Sequence, residues 1–246
     1  MVSVGFAERL FSGDLNGHIA QRVGSGDKLI DLVVFDHVGD AFFPDVMWPR
    51  MVGRLAMPIF SFCIAEGYIH TRDKNKYMLR MGIFALISEV PFDLAFDGKI
   101  GLSHQNIMLT FFLSILALRL FDLIRGARKE ATGKYSAGKT ILGILVVIII
   151  AVIATLVKAD YTFFAVIAVF LFYVLKDTNH FARTGMGVAF LAVTRTVGYY
   201  CTTGLSLIPL FFYNGKKGKR LKWLFYIFYP GHLLLIFILK RVLEMY

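Results

Sequence analysis

Long apolar runs alternate with short polar segments along almost the whole chain. A helix that spans a bilayer needs about 20 mostly apolar residues, and about 17 is the lower limit. Runs of roughly this kind lie at 28–44, 54–70, 80–96, 107–124, 141–157, 161–175, 185–213 and 223–239. The pattern predicts an all-α, polytopic integral membrane protein with about eight to ten transmembrane helices.

The composition indicates the same class of protein. Of the 246 residues, 57% are hydrophobic and 18% are charged, whereas a soluble domain has roughly 45–50% and about 25%. A soluble enzyme, a disordered chain and a disulfide scaffold are therefore excluded, the last because Cys63 and Cys201 both lie inside apolar runs. The net charge of +10 comes from Lys and Arg between the runs, which indicates a lipid bilayer as the partner and not nucleic acid.

The basic residues also predict the topology, because cytoplasmic loops of membrane proteins are rich in Lys and Arg. The segments after the second, fourth and sixth runs are basic, and the most basic segment is 216–222. If all of these are cytoplasmic, the N-terminus lies inside and 185–213 crosses the membrane an even number of times. We predict two short helices there and about nine crossings in total; one long helix and a re-entrant hairpin are the alternatives.

The first 27 residues differ from the rest of the chain. They contain no continuous apolar stretch and no small-residue cleavage site, so we expect a cytoplasmic or interfacial lead-in and not a signal peptide. Residues 28–246 are expected to form a single transmembrane helical domain. No segment of about 20–50 residues repeats along it.

Ionisable residues inside the predicted spans are the strongest indication of function, because their desolvation must be offset. In the first predicted helix, Asp36, His37 and Asp40 fall within an arc of about 100°, so two carboxylates and an imidazole share one face. This arrangement predicts an acid/base site, in which we expect an acid on a neighbouring helix to orient His37. A water-filled vestibule or a structural polar network is the alternative.

The other spans contain further polar groups. Glu66 and His70 are four residues apart and can meet on one face of the second helix. Glu89 and Asp93 flank Pro91 in the third, where we expect them to serve folding more than chemistry. The remaining candidates have plausible structural roles as well: snorkelling to the headgroups for Arg54, capping of the fourth helix for Asn106, and helix packing for His232. The chain has no HExxH, no zinc-spaced Cys pair and no GxxxxGK loop, so we expect no metal and no P-loop chemistry.

Several of these polar residues belong to segments that together form a recognisable set. The segments are 36–39 (DHVG), 43–44 (FP), 50–60 (RMVGRLAMPIF), 66–72 (EGYIHTR), 77–80 (YMLR), 87–94 (ISEVPFDL), 105–106 (QN), 213–218 (YNGKKG) and 228–232 (FYPGH). They closely resemble the TraX family from about Lys28 to about Lys240. Between Arg125 and Arg195 the resemblance is limited to hydropathy and to Asp160-Tyr161, and Asp31 and Asp40 depart from the family pattern.

The resemblance implies a location and an activity. TraX proteins are proteins of the bacterial cytoplasmic membrane named for acetylating the N-terminus of the F-pilin subunit, and they are similar to polytopic acyltransferases that use cytosolic acetyl-CoA. In that wider group a histidine in the outer half of the first helix is the proposed base, which His37 matches by motif position. The implied acceptor is an amine or hydroxyl on a pilin-like peptide, a glycan or a small molecule.

Acyl transfer from a thioester needs a base, donors for the oxyanion, and groups that hold the phosphates of coenzyme A. We predict His37 as the base, Arg54 or Asn106 as oxyanion donor, and Asp36 and Glu66 as acidic residues of the same site. On the cytoplasmic side, the residues predicted to bind acetyl-CoA are Arg72, Lys74, Lys216, Lys217 and Arg220. A proton-coupled transporter of a small solute is the alternative function, since it also places Asp, Glu and His in its spans.

Overall fold

The computed structural model describes residues 26–126, 135–193, 200–213 and 222–243, and these ranges contain helices without any β-strand. In chain order the helices are α1 (Gly26–Phe42), α2 (Met47–Gly53), α3 (Ala56–His70), α4 (Lys74–Phe96), α5 (Ile107–Arg125), α6 (Ala137–Leu156), α7 (Thr162–Val174), α8 (His180–Val193), α9 (Tyr200–Leu205), α10 (Leu207–Phe211) and α11 (Lys222–Val242). The predicted lead-in and the predicted acetyl-CoA ligands Lys216, Lys217 and Arg220 lie outside the described residues, Gly26 and Asp27 of the lead-in excepted.

Three segments among the described residues are long and apolar enough to cross a membrane: Met47–His70, which joins α2 to α3, Ile107–Arg125 and Ala137–Leu156. One side of α6 consists of exposed aliphatic side chains such as Ile141, Leu145 and Ile149, a surface suited to lipid and not to water. The chain is therefore an all-α polytopic membrane protein, as predicted. The exact number of crossings stays a prediction.

The main hydrophobic core surrounds α5, which packs against α3, α4, α6 and α7. Fully buried aromatic rings fill it, among them Phe62, Phe121 and Phe172. The rings of Phe62 and Phe172 meet edge to face with centroids 5.5 Å apart, a favourable geometry for aromatic pairs. A second, smaller core joins α1, α4 and α11.

Helices α4 and α11 run in the same direction. Near the start of α11, Tyr226 stacks on Phe84 of α4 at 4.4 Å, and near its end the Lys240 ammonium donates to the Ala95 carbonyl at the end of α4, at 2.8 Å. Two parallel spans must be separated by an odd number of crossings. If α5, α6 and α7 each cross once, they supply three of these, and the segment from α8 to α10 must then contribute an even number. The observed direction therefore agrees with the predicted parity.

The run 185–213 does not form one long helix. Helix α8 starts earlier than predicted, at His180, and the Nε2–H of His180 donates to the Leu210 carbonyl of α10 at 2.8 Å. The chain thus leaves this end of the molecule along α8 and is back at the same end by α10. The single-helix alternative is wrong, whereas two short crossings and a re-entrant hairpin both fit this return.

Candidate active site

A cavity of about 70 Å³ lies between α1, α2, α3, α5 and α11, and the short α6–α7 loop closes one side of it. Most of its wall is apolar. Its polar members are Asp36, His37, Asp160, Tyr161 and Tyr229. An apolar cavity with a few converging polar groups is the usual form of a site for a small ligand or a reacting group, so we refer to this region as the His37 end.

The close approach of α1 and α2 depends on a glycine. A methyl group added at Gly53 would lie 2.2 Å from Cβ of Asp36 and 2.4 Å from one of its carboxylate oxygens. No side chain fits at such distances, because heavy atoms in contact are about 3.5–4.0 Å apart. Gly53 therefore allows Asp36 and His37 to reach the cavity from α1.

His37 is paired with a histidine, and not with the carboxylate that we predicted. Its Nδ1 lies 2.6 Å from Nε2 of His232 in α11, and Nδ1 of His232 lies 2.9 Å from the Phe228 carbonyl oxygen. Phe96 and Tyr229 each place a ring at a steep angle to the His37 ring, with centroids 5.5 and 5.9 Å away. His232, for which we expected only helix packing, is thus the polar partner of His37.

Arg54 acts on the cavity through Tyr161. One guanidinium nitrogen of Arg54 donates to the Tyr161 hydroxyl oxygen at 2.7 Å, and the guanidinium carbon lies 5.3 Å from the centre of that ring. Arg54 also interacts electrostatically with Asp36 and Asp160. One cation is therefore placed among two carboxylates and a phenol, with Tyr161 between Arg54 and the cavity.

The loop that carries Asp160 and Tyr161 is strained. Lys158, Tyr161 and Thr162 have φ angles of 56°, 60° and 48°, the left-handed region that residues other than glycine seldom adopt. Such conformations cost of order 1–3 kcal/mol each and cluster at functional sites. The strained loop is the same loop that contributes Asp160 and Tyr161 to the cavity.

Hydrogen bonds from the neighbouring α4–α5 segment hold this loop. The backbone of Gln105 accepts from the Asp160 N–H and donates to the Lys158 carbonyl, both at 3.0 Å. The buried Thr110 hydroxyl donates to the Asp160 carbonyl at 2.6 Å. These bonds fix the backbone of the loop and compensate its strain.

Asn106 is a helix cap that also ties α5 to α4. Its side-chain oxygen accepts from the N–H groups of Met108 and Leu109 at 2.9 and 3.3 Å, as the capping alternative predicts. Its amide nitrogen donates to the Ala85 carbonyl at 2.9 Å and to the Glu89 carboxylate. Both amide hydrogens thus have acceptors on α4, and Asn106 does not line the cavity.

Glu66 lies far from His37. A helix rises about 1.5 Å per residue, which places Glu66 about 15 Å along α3 from Ala56 at the cavity. Its carboxylate instead forms a buried ion pair with Arg183 of α8 at 2.7 Å and accepts from the Tyr213 hydroxyl at 3.1 Å. His70 is 3.7 Å from the same carboxylate, as its position four residues later predicts.

A third polar cluster surrounds Asp122, still further from the cavity. Its carboxylate accepts from the hydroxyls of Tyr68 at 2.9 Å and Tyr173 at 2.5 Å, and it pairs with the Lys74 ammonium at 2.8 Å. Lys176 lies over the Tyr173 ring at 4.0 Å, where burial and the nearby Arg125 and Lys74 lower its pKa. We call this region, with Glu66 and Arg183, the Asp122 end. Of the predicted acetyl-CoA ligands, Lys74 lies there and Arg72 is exposed beside it.

The structure thus brings together Asp36, His37 and Arg54, and it separates Glu66 and Asn106 from them. The sequence interpretation missed Tyr161, although Asp160-Tyr161 stood out inside an otherwise unremarkable stretch. Among the described residues, no group of three His, Cys, Asp or Glu side chains is placed to hold a metal ion.

The fold and the cavity define a polytopic, α-helical membrane protein with a histidine-containing polar site between its first and last described helices. Residues 28–240 match the family described as TraX protein, and because this is most of the chain, the chain belongs to the TraX family. The chain is also 29% identical to the probable fimbrial assembly protein FimC, serogroup H1, of Dichelobacter nodosus, over 88% of this chain and 95% of that protein. No solved structure matches it.

Proposed function

We propose that this protein is a membrane acyltransferase that moves an acetyl or other acyl group from acyl-CoA to an amine or hydroxyl of a pilin-like subunit. The observation that carries the proposal is His37, an imidazole in an apolar cavity beside Tyr161, whose hydroxyl oxygen accepts from Arg54. The match to the TraX family and the similarity to a protein named for fimbrial assembly support a role in pilus assembly.

The chemistry would proceed in two steps. His37 takes a proton from the acceptor amine while the nitrogen of that amine forms a bond to the thioester carbonyl carbon. The carbonyl oxygen thereby becomes an oxyanion. Tyr161 would donate to that oxyanion, and its proton would be polarised because its own oxygen accepts from the Arg54 cation. The C–S bond then breaks, and the leaving thiolate takes the proton from His37.

The acyl donor would enter from the opposite end of the molecule. Lys74, Arg125 and Lys176 lie near Asp122 there. These three cations outnumber the two nearby carboxylates, Asp122 and Asp177, and the resulting net positive charge suits the phosphates of coenzyme A. Arg72 and the basic residues Lys216, Lys217 and Arg220 are predicted to face the same side.

Release of free thiol tests the proposal. Purified protein in lipid nanodiscs, given acetyl-CoA and a peptide with a free N-terminal amine, should liberate CoA and yield acetylated peptide. His37→Ala should remain folded while transfer falls by about 10²–10⁴-fold, the usual contribution of a general base. His70→Ala and His104→Ala are the matched controls, because neither histidine lines the cavity. A carrier would release no thiol, and normal turnover in His37→Ala would place the base elsewhere.

We also propose that the protein lies in the bacterial cytoplasmic membrane with its N-terminus and the 216–222 loop on the cytoplasmic side. Single cysteines at Ser25 and Gly218, in a background where Cys63 and Cys201 are serine, provide the test. Neither should react with an impermeant thiol reagent until the cells are permeabilised. Labelling of either position in intact cells would contradict the nine-crossing topology.

A further inference from the structure

We propose that His232 is a positioning residue that holds His37 in a single tautomer, so that Nε2 of His37 is the atom that takes the proton of the acceptor. The catalytic part of this inference rests on the function proposed above. The structural part does not, because it follows from the direction of two hydrogen bonds.

The Phe228 carbonyl fixes the first direction. A carbonyl oxygen can only accept, so Nδ1 of His232, 2.9 Å away, must carry a proton. In a neutral imidazole only one nitrogen is protonated, which leaves Nε2 of His232 as an acceptor. The tautomer of His232 is thus set by the Phe228 carbonyl, which lies one turn earlier in the same helix.

The second direction follows from the first. Nε2 of His232 accepts, so Nδ1 of His37, 2.6 Å away, must donate. Neutral His37 then carries its proton on Nδ1, which leaves the lone pair on Nε2. A base needs that lone pair, and His37 lines the cavity whereas His232 does not. The chain of bonds therefore assigns the reactive nitrogen.

The geometry of the two rings agrees with a hydrogen bond. Their planes differ by only 3°, but their centroids are 4.9 Å apart, which is far more than the 2.6 Å between the bonded nitrogens. Nearly parallel rings with these two distances lie edge to edge and not face to face. The edge-to-edge arrangement points the Nδ1–H bond of His37 at the lone pair of His232.

This arrangement would act in both steps of transfer. When Nε2 of His37 takes the acceptor's proton, the ring becomes a cation whose positive charge is shared by Nδ1–H. A hydrogen bond from a charged donor is roughly twice as strong as a neutral one, so the bond to His232 strengthens as the charge develops. When Nε2 returns the proton to the leaving thiolate, the pair is back in its starting state with the N–C bond made and the C–S bond broken.

The tautomer can be measured without any substrate. Nitrogen-15 NMR of the labelled protein in nanodiscs distinguishes the two neutral tautomers of each assigned histidine. In the wild type at a pH where both rings are neutral, His37 should be protonated at Nδ1 and His232 at Nδ1. A His37 that is protonated at Nε2 would overturn the inference, whatever the enzyme does.

Substitutions at His232 then test the consequence. His232→Gln keeps an acceptor oxygen where Nε2 lies and should retain most of the turnover. His232→Ala removes the acceptor and should lower kcat by at least about tenfold and by up to about 10⁴-fold, the loss seen when a catalytic histidine loses its orienting partner. KM should change little in either variant, since His232 does not line the cavity. Leu235→Ala, at an exposed position on the same helix, is the control for an alanine in α11.

The outcomes separate this inference from the proposed function. Equal losses in His232→Gln and His232→Ala, or no loss in either, would contradict the acceptor role even if acyl transfer is real. Failure of His37→Ala to lower transfer, together with the expected tautomers in the wild type, would refute the proposed function and leave the hydrogen-bond assignment standing. If His232→Ala does not fold, the wild-type spectrum and His232→Gln still decide the question.

Discussion

The two ends of the molecule use the same kinds of side chain for different purposes. At the Asp122 end each carboxylate has several partners: Asp122 accepts from two tyrosines and a lysine, and Glu66 meets Arg183 and Tyr213. At the His37 end the polar groups border a cavity, and a strained loop contributes two of them. Polar groups are hydrogen-bonded at both ends, but only those of the His37 end also line a cavity that a substrate could enter.

The two ends also differ in what replaces the water that their charged groups lose on burial. A buried charge is costly unless it is paired and hydrogen-bonded, and the ion pair of Glu66 with Arg183 satisfies that condition. The polar groups at the His37 end have partners as well, but they also border a space that a ligand can fill. Variants of the Glu66–Arg183 pair should therefore act on stability, and variants of the residues that line the cavity should act on turnover.

The largest effect on stability is expected for Arg183→Leu. This change removes the ion-pair partner of the largely buried Glu66 carboxylate, which keeps the hydrogen bond from Tyr213. Breaking a fully buried pair costs about 3–5 kcal/mol, so a loss towards the lower end of that range is expected. The thermal unfolding midpoint in detergent should fall steeply. The double variant Arg183→Leu, Glu66→Leu should recover much of the loss, because no charge is then left unpaired. A double variant as unstable as the single one would show that the loss of stability comes from side-chain packing and not from the ion pair.

A smaller but more informative effect is expected for Gly53→Ala, because this change should affect both stability and turnover. Its methyl group would overlap Asp36, so α1 must move, at a cost of about 1–3 kcal/mol. Turnover should fall as well, since the same movement displaces His37. Gly138→Ala is the control, because an added methyl group there has nothing within 4 Å. Full activity in Gly53→Ala would mean that α1 can shift without disturbing the site.

Glu89→Gln should have a still smaller effect. The neutral side chain can still accept from Asn106, but a hydrogen bond to a charged group is about twice as strong, so a loss of about 1 kcal/mol is expected. The yield of folded protein should fall more than thiol release per folded molecule. The opposite ranking, with turnover more sensitive than unfolding, would add Glu89 to the active site.

The smallest effect is expected at Asp73, an exposed cap of α4 that accepts from the Lys76 N–H at 2.9 Å. That bond lowers the pKa of Asp73 below its ordinary value of 3.8. The carboxylate should therefore contribute stability above about that pH, and the contribution should vanish as the pH falls through the lowered pKa. Unfolding of the wild type and of Asp73→Ala, compared from pH 7 to pH 2, should converge at the acid end. A constant difference would assign the effect to something other than the carboxylate.

The sequence could predict what lies along one helix. Apolar runs predicted most of the helices. The helical periodicity placed Asp36, His37 and Asp40 on one face, and the structure has Asp36 and His37 at the cavity but not Asp40. The four-residue spacing of Glu66 and His70 likewise predicted their contact. Helical periodicity is a local property, so these predictions needed no knowledge of how the helices pack.

What the sequence could not predict is which helices meet. Glu66 belongs to a motif that resembles the same family as His37, yet the length of α3 keeps it at the other end of the molecule. Tyr161 reaches the cavity only because its backbone adopts a left-handed conformation that residue type disfavours. Asn106 was correctly described as a possible cap, but its second role, holding α4 through Glu89, depends on a neighbour that spacing does not reveal.

The bond between His37 and His232 has a consequence for biosynthesis, because its two partners are 195 residues apart in the chain. A ribosome that adds about 5–20 residues per second needs on the order of 10–40 s to make that length. Throughout this time α1 is already in the membrane without its partner in α11. The reactive nitrogen would be defined only after the last described helix has been inserted, so a nascent or truncated chain should be inactive even when its first helices have folded.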